Sequence, residues 1–266
     1  MPHIIYQAHG FHFWKGAPLK NKVIYYPVEK FMARYTDTLL TINQEDYSAA
    51  KKFKLKKNGQ VKYIAGVGIE TQKIKNIDID VQSKRKELGL PADALIFTNI
   101  AELIDRKNQQ TLMKAFAQAD IPNSYLLLCG KGANMQKLTD LAISLHRQEQ
   151  IKLLGYRTDV MDILHASDCF VFASFQEGLP VALMEAMAAG LPCIASNIRG
   201  NTDLLPQSEL LFEPDDTDKL AQLLIKMKDS VLCEREIENN LTTIQSFDSA
   251  IVTGELVRIY TRLVDE

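Results

Sequence analysis

Long hydrophobic runs are absent from this 266-residue sequence. Its longest apolar stretches, such as YLLLC and CFVFASF, are far shorter than the roughly 20 residues that a membrane-spanning helix needs. The first residues, MPHIIYQAHG, also lack the charged region and the cleavage site of a signal peptide. The sequence therefore predicts a cytoplasmic protein without a transmembrane segment.

Cysteine is scarce, with four residues and no CxxC pair or Cys/His cluster. The first three cysteines lie in apolar, strand-like segments, which is typical of reduced core residues. No metal-ligand cluster is visible either, so we expect no metal. The apolar fraction of 46% is that of an ordinary globular protein with one large or two modest domains.

Acidic residues are rare at the start of the chain. Residues 1–67 contain 11 of the 31 Lys and Arg but only 4 of the 33 Asp and Glu, which leaves 20 basic against 29 acidic side chains for the rest. Residues 11–35 interleave aromatic side chains with Lys and Arg, a composition that suits an anionic membrane surface. The alternatives are a solvated face and a nucleic-acid surface. No nucleic-acid motif is present, so we expect no nucleic-acid partner.

Basic residues are missing from 158–198, which hold five acidic side chains and no Lys or Arg. Pro180 and Gly190 there predict a helix over Leu179–Ala189, in which Glu185 has only apolar neighbours one turn away. Glu185 therefore cannot form an ion pair within its own helix. It either points to water or caps a nearby loop, or it is buried and meets donors from elsewhere.

From about Ala94 onward, short β-rich runs alternate with helical segments, for example SYLLLCG with NMQKLTDLAISLHRQ and CFVFAS with PVALMEAMAAG. Such repeated βα units predict an α/β fold with a parallel sheet and helices on both faces. HIIYQA, TLLTIN and VKYIAG predict part of a second βα sheet in residues 1–67. Ligands of these sheets bind beyond the carboxyl ends of the strands, where Gly130, Gly155 and Glu177 fall.

The segment LLCGKGANM places Gly130 and Gly132 between a strand and a helix, as in a dinucleotide fingerprint. The third glycine position is Met135, so the signal for a dinucleotide is weak, and a simple strand-to-helix turn explains both glycines equally well. The helix that follows still offers backbone N–H groups to an anion.

The segment EGLPVALME combines two carboxylates with a helix start. Glu177 and Glu185 could accept hydrogen bonds from the hydroxyls of a sugar and a ribose, with a diphosphate between them at the helix N-terminus. Since proline has no N–H group, the backbone donors would come from Leu179, Val181 and Ala182.

This segment, continued through FASFQEGLPVALMEAMAAGLPCIASNIRGNTDLL, resembles the donor-binding segment of glycosyltransferase family 4, whose members have the GT-B fold and retain anomeric configuration. The resemblance extends to LLCGKG, IKLLGYRTDV and LHASDCFVFAS, and also to AHGFHFWKGAP and YTDTLLTIN, which look like capsular and exopolysaccharide members. It spans nearly all of the chain. The resemblance implies a complete C-terminal Rossmann-like domain and a partial N-terminal one.

Carried over to this chain, the resemblance implies the donor-binding residues. Glu185 would bind the ribose hydroxyls and Glu177 the hydroxyls of the transferred sugar. Tyr156 and Arg157 match the loop beside the base, and Gly130 lies at the neighbouring strand end.

The same resemblance implies Lys107 as the lysine that contacts the donor diphosphate and His9 as the histidine near the reacting centre. Taken alone, His9 would be an ordinary loop or core histidine. Where many members have a phosphate-binding arginine, this chain has Glu102, and Arg106 is the candidate to replace it.

The resemblance also implies the domain boundaries: a partial acceptor-side domain at 1–67, a donor domain at 68–246 and a helix at 247–266 that packs back on the first part. Family members carry a longer first domain, so we expect this chain to be less stable than a complete homologue and to have little activity alone.

Three hypotheses follow. The first is a transferase that moves a hexose from a nucleotide sugar, with UDP as the favoured carrier and no cofactor, to a polyprenyl-diphosphate-linked glycan at the inner membrane face. The second is a truncated or split donor-binding domain that needs a separate chain. The third is a GT-B relative such as an epimerase or a phosphorylase, against which the Glu177 and Glu185 spacing argues.

Overall fold

The computed structural model describes residues 3–265 of the chain, with side chains for residues 3–262. Both helices and strands are present, and every strand pairing is parallel. None of the helices in the described part is long and apolar enough to cross a bilayer. The elements in chain order are β1 (Ile5–Ala8), α1 (Leu19–Met32), β2 (Thr38–Thr41), α2 (Gln44–Ala50), β3 (Gln60–Tyr63), α3 (Thr71–Lys75), α4 (Val81–Glu87), β4 (Leu95–Ile100), α5 (Gln109–Ala119), β5 (Ser124–Cys129), α6 (Met135–Ser144), β6 (Ile151–Gly155), α7 (Val160–His165), β7 (Cys169–Phe172), α8 (Val181–Ala188), β8 (Cys193–Ser196), α9 (Asn201–Leu204), β9 (Leu211–Phe212), α10 (Thr217–Lys226), α11 (Ser230–Ile244) and α12 (Ser249–Asp265). Short 3-10 helices lie at Ala33–Tyr35, Asp105–Lys107 and Gln245–Phe247.

The chain divides into two compact units. Unit 1 comprises residues 3–70, 177–180 and 246–265, and unit 2 comprises residues 71–176 and 181–245. Unit 1 contains a three-stranded sheet of order β1-β2-β3, in which β2 is fully buried. One of its apolar clusters joins Leu40, Ile42 and Ile64 to Ile259 of α12, with Leu179 packed against them. The returning helix is therefore part of the core of unit 1.

Unit 2 contains a six-stranded sheet of order β6-β5-β4-β7-β8-β9. From β4, successive strands of the chain are added towards one edge of the sheet, and from β7 they are added towards the other edge. The direction in which strands are added therefore reverses between β4 and β7. In open parallel sheets of this kind, the crevice beyond the carboxyl ends of the two central strands is the usual ligand site. The topology therefore directs attention to the segments that follow β4 and β7.

The sheet of unit 2 is buried on both faces because neighbouring residues of one strand enter different apolar clusters. In β4, Phe97 packs in the larger cluster while Ile96 packs in a smaller one on the other side. In β5, Leu126 and Leu128 join the first cluster, and Leu127 joins the second. Burial on both faces explains why these strands read as continuous apolar runs rather than as alternating ones.

One prediction of local structure was wrong, and one helix was not predicted. Helix α8 begins at Val181, two residues later than predicted, because Leu179 precedes a proline and such residues are sterically disfavoured in helical conformation. Helix α11 is not evident from the sequence. Its buried residues recur every four positions, but two of them are polar, so the apolar periodicity is hidden: Leu232, Glu236, Asn240 and Ile244.

Candidate functional site

The segments that follow β4 and β7 are tied together at the point where the direction of strand addition reverses. The backbone carbonyl of Arg106 accepts hydrogen bonds from the Phe175 N–H (2.9 Å) and from the Ser174 hydroxyl (3.1 Å). The Arg106 guanidinium donates to the carbonyl of Gln176 at 2.7 Å. Residues 105–108 and 173–176 therefore form one connected edge of unit 2.

A cleft of about 700 Å³ opens at the carboxyl ends of β4, β5 and β6. Its volume lies within the usual range for small-molecule sites. Three predicted site residues line it, together with the unpredicted Lys131: Gly130, Tyr156 and Arg157. Its lining residues are Ile100, Ala101, Glu102, Cys129, Gly130, Lys131, Gly132, Tyr156, Arg157 and Val160.

The two glycines of the β5–α6 turn are required by close packing against the end of β4. A Cβ atom at Gly130, where φ is +150°, would lie 1.9 Å from the carbonyl oxygen of Ala101. A Cβ atom at Gly132 would lie 2.3 Å from the carbonyl oxygen of Leu103. These glycines bring two strand-end loops together and so shape the wall of the cleft.

Tyr156 and Arg157 flank the cleft in different ways. Tyr156 is 69% exposed, and the ammonium of Lys131 lies 5.2 Å from the centre of its ring. Arg157 is fixed by ion pairs: its guanidinium contacts the Asp159 carboxylate through Nε (2.8 Å) and Nη2 (2.5 Å), and Nη2 also contacts Glu87 at 2.9 Å. An exposed ring and an oriented guanidinium both suit a planar ligand such as a nucleobase.

The ion pairs around Arg157 extend to α4. Lys84 lies 2.6 Å from Asp159 and 2.9 Å from Glu87. The hydrogen bond from Arg157 and the neighbouring Lys84 hold the pKa of Asp159 well below its ordinary value, so the carboxylate stays charged. This network could not be predicted from the sequence, because Glu87 and Arg157 are 70 residues apart and only the fold joins them.

Lys107 lies in the connection between β4 and α5, outside the lining of the cleft. Its ammonium is 5.0 Å from the ring centre of Phe172, the last residue of β7. A cation–π contact of this kind holds a positive charge at the carboxyl end of the central strands. Glu102, on the same connection, is exposed to solvent.

Glu185 lies on α8 and is half-buried. Burial raises the pKa of its carboxyl above the ordinary value of 4.5. Within residues 3–262, its carboxylate has neither a hydrogen bond nor an ion-pair partner. The N–H groups of Val181 and Ala182 lie in the first turn of the same helix, whereas Leu179 lies outside it.

Glu177 and His9 belong to unit 1, where two loops approach each other closely. Glu177 is 8% exposed and His9 is exposed. A Cβ atom at Gly178 would lie 2.1 Å from the carbonyl oxygen of His9, so only glycine allows this approach. The fold therefore brings the Glu177 loop and the His9 loop into contact within unit 1.

A family model described as Glycosyl transferases group 1 matches residues 80–242. Two curated relatives align with nearly the whole chain. EpsD of Bacillus subtilis (strain 168), provisionally named a glycosyltransferase, is 34% identical over 268 residues, which cover 98% of this chain and 70% of EpsD. The UDP-Gal:alpha-D-GlcNAc-diphosphoundecaprenol alpha-1,3-galactosyltransferase of Escherichia coli is 29% identical over 262 residues, which cover 93% of this chain and 67% of that enzyme.

Solved structures resemble the chain over almost its entire length. Anabaena HepE in complex with UDP and glucose superimposes with a TM-score of 0.83 at 20% identity, covering 98% of this chain and 72% of HepE. Sucrose-phosphate synthase of Thermosynechococcus elongatus gives 0.82 at 23% identity, covering 98% of this chain and 68% of the synthase. These likenesses concern the fold, and they confirm the predicted α/β fold of GT-B type.

Proposed function

The chain belongs to the group 1 glycosyl transferases, and from that premise we propose that it moves a hexose from a UDP-linked donor to a polyprenyl-diphosphate-linked glycan with retention of anomeric configuration. This assigns it to glycosyltransferase family 4 and to capsule or exopolysaccharide synthesis. Two observations in unit 2 carry the proposal: the cleft at the carboxyl ends of β4, β5 and β6, and the half-buried carboxylate of Glu185 on α8, which has no protein partner in the described structure.

We assign the donor domain to unit 2 and the acceptor side to unit 1. In the donor domain, the base lies in the cleft against Tyr156 and near Arg157, and the carboxylate of Glu185 accepts hydrogen bonds from the ribose hydroxyls. The ribose hydroxyls then supply the hydrogen bonds that a half-buried carboxylate without protein partners in the described residues requires.

The chemical step in this proposal is stabilisation of the leaving group. As the bond between the anomeric carbon and the diphosphate breaks, negative charge grows on the phosphate. Lys107 and the N–H groups at the start of α8 hold that charge. The loss of one preorganised donor of this kind typically costs roughly 3 kcal/mol of barrier. The acceptor hydroxyl attacks from the same face. We assign Glu177 the role of accepting hydrogen bonds from the transferred sugar and His9 a role in the reaction.

Unit 1 supplies the proposed contact with an anionic membrane, at the inner face where a cytoplasmic protein would meet its lipid-linked acceptor. Helix α1 buries none of its side chains and leaves Leu19, Val23 and Phe31 more than half exposed. Lysines lie among them, so the surface combines apolar and positive groups. Flotation with phosphatidylcholine vesicles, with and without phosphatidylglycerol, tests this. Binding that does not depend on the anionic lipid would contradict it.

The transfer assay uses the purified chain, UDP-linked hexoses and a polyprenyl-diphosphate-linked N-acetylhexosamine acceptor. We expect a lipid-linked product with the anomeric configuration of the donor. An inverted product would contradict the retaining mechanism. Nucleotide binding without transfer would favour a donor-binding domain that needs a separate chain. Interconversion of free sugar nucleotides, or phosphorolysis, would favour a different GT-B activity.

A further inference from the structure

Asn108, which directly follows Lys107, has an unusual backbone for a non-glycine residue. Its φ is +55° and its ψ is +35°, so it adopts the left-handed conformation between the 3-10 helix at Asp105–Lys107 and α5. Its side chain is buried, with the residue only 5% exposed. A residue held in this conformation and out of water needs strong local restraints.

Those restraints come from three hydrogen bonds of the Asn108 side chain. Nδ2 donates to the carbonyl of Ala173 at 3.1 Å and to the carbonyl of Pro214 at 2.9 Å. Oδ1 accepts from the hydroxyl of Thr111 at 2.8 Å. Both N–H groups of the amide are therefore used, and they join the start of α5 to the segments after β7 and β9.

The end of β7 also contacts Lys107. Phe172 lies beneath the Lys107 ammonium, and the next residue, Ala173, accepts the hydrogen bond from Asn108. Two consecutive residues of one strand end thus hold two consecutive residues of the neighbouring connection. A displacement of Asn108 would move the backbone of Lys107 relative to the ring on which its ammonium rests.

We propose that Asn108 is a positioning residue for Lys107, and that it fixes the ammonium at the place where the donor diphosphate binds. The inference rests on the proposed role of Lys107 and adds to it the residue through which the fold sets the position of the charge. A short-range donor is effective only when it is preorganised, so a loss of position costs affinity for the anion.

The test measures UDP binding by calorimetry in a double-mutant cycle, with GDP as a parallel probe. Asn108→Gly keeps access to the left-handed backbone and removes the three side-chain hydrogen bonds. We expect about tenfold weaker UDP binding, since misplacement by about 1 Å can cost up to about a hundredfold. In a Lys107→Ala background, the same substitution should have almost no further effect.

Two further variants make the result decisive. Asn123→Gly is the matched control, because Asn123 is another left-handed asparagine of unit 2 (φ +50°) and is exposed. It should leave UDP binding unchanged. Phe172→Leu removes the ring beneath the ammonium while keeping an apolar side chain, so it should weaken UDP binding even if Asn108→Gly proves too unstable to purify.

The outcomes separate the inference from the proposed function. Failure of the folded wild-type chain to bind either nucleotide would overturn the donor site and the inference with it. If wild type binds UDP but Lys107→Ala does not weaken binding, the role of Lys107 is wrong. Suppose that Lys107→Ala weakens UDP binding. If Asn108→Gly then weakens binding by the same factor in the Lys107→Ala background as in wild type, or lowers thermal stability without changing UDP affinity, Asn108 does not act through Lys107 and the inference is wrong.

Discussion

Glu185→Gln should change stability and nucleotide affinity in opposite directions. The free chain holds a half-buried carboxylate without a hydrogen-bond partner among the described residues, and burial raises its pKa above 4.5. The folded state then keeps a proton that the unfolded state releases as the pH rises. The charged Glu185 carboxylate therefore does not destabilise the fold below pH 4.5, and its destabilising effect is fully present above the pKa of the folded state.

The expected gain in the free energy of unfolding for Glu185→Gln at neutral pH is about 1 kcal/mol. This is the low end of the cost of leaving a buried group unpaired, because the carboxylate keeps some contact with water. The expected loss of UDP affinity is about 2 kcal/mol, or roughly thirtyfold, since hydrogen bonds to a charged acceptor are worth more than those to an amide.

The assay combines urea unfolding at pH 4 and pH 7 with calorimetric titration of UDP. Glu238→Gln on α11 is the matched control, because Glu238 is an exposed helical glutamate for which the structure shows no ion pair in the described chain. A destabilised Glu185→Gln variant would mean that the carboxylate has a stabilising partner in the free protein. A stabilised variant with unchanged UDP affinity would refute its role as a ribose ligand.

Two other perturbations test the walls of the site. Gly130→Ala should lower the free energy of unfolding by about 3 kcal/mol or more, because the new Cβ would lie 1.9 Å from the carbonyl oxygen of Ala101. Gly155→Ala should cost only about 1 kcal/mol, because Gly155 also has a positive φ (+67°) but no atom lies within 4 Å of the new Cβ. Urea unfolding measures both losses, and equal losses would contradict the packing argument. Asp159→Asn should destabilise the chain at neutral pH, because the ion pairs of Asp159 depress the pKa of its carboxyl and stabilise the fold at pH values above the ordinary pKa of 3.8. This stabilisation decreases progressively as the pH falls from 3.8 through the depressed pKa of the folded state. Urea unfolding at several pH values checks this, and a difference between wild type and variant that does not shrink below pH 3.8 would contradict it.

The alternation of strands and helices in unit 2 could be predicted because each strand is buried on both faces and reads as a short apolar run. The same rule failed for α11, where Glu236 and Asn240 take core positions. Their polar groups are satisfied by the Ser208 hydroxyl and the Leu191 carbonyl, contacts that no local pattern reveals. Helix prediction from apolar periodicity misses helices whose buried face is partly polar.

The candidate site likewise contains residues that could be predicted from the sequence and residues that could not. Glu185 could be singled out from the sequence because 158–198 contains no basic residue to pair with it. Asn108 could not, because its importance depends on carbonyl groups at Ala173 and Pro214, which are 65 and 106 residues away. The sequence pattern thus singles out a candidate ligand-binding residue. Only the fold identifies Asn108 as a candidate positioning residue.

Hydrogen exchange with and without UDP is the decisive measurement for the donor site, because it reports where on the folded chain the nucleotide binds. We expect slower exchange in the segments that follow β4, β5 and β6 and at the start of α8, around Lys107, Gly130, Arg157 and Val181. The control is the same measurement with Glu185→Ala, in which this protection should be lost. Protection elsewhere in unit 2, or none in a folded chain at saturating UDP, would contradict a donor site at the carboxyl ends of these strands.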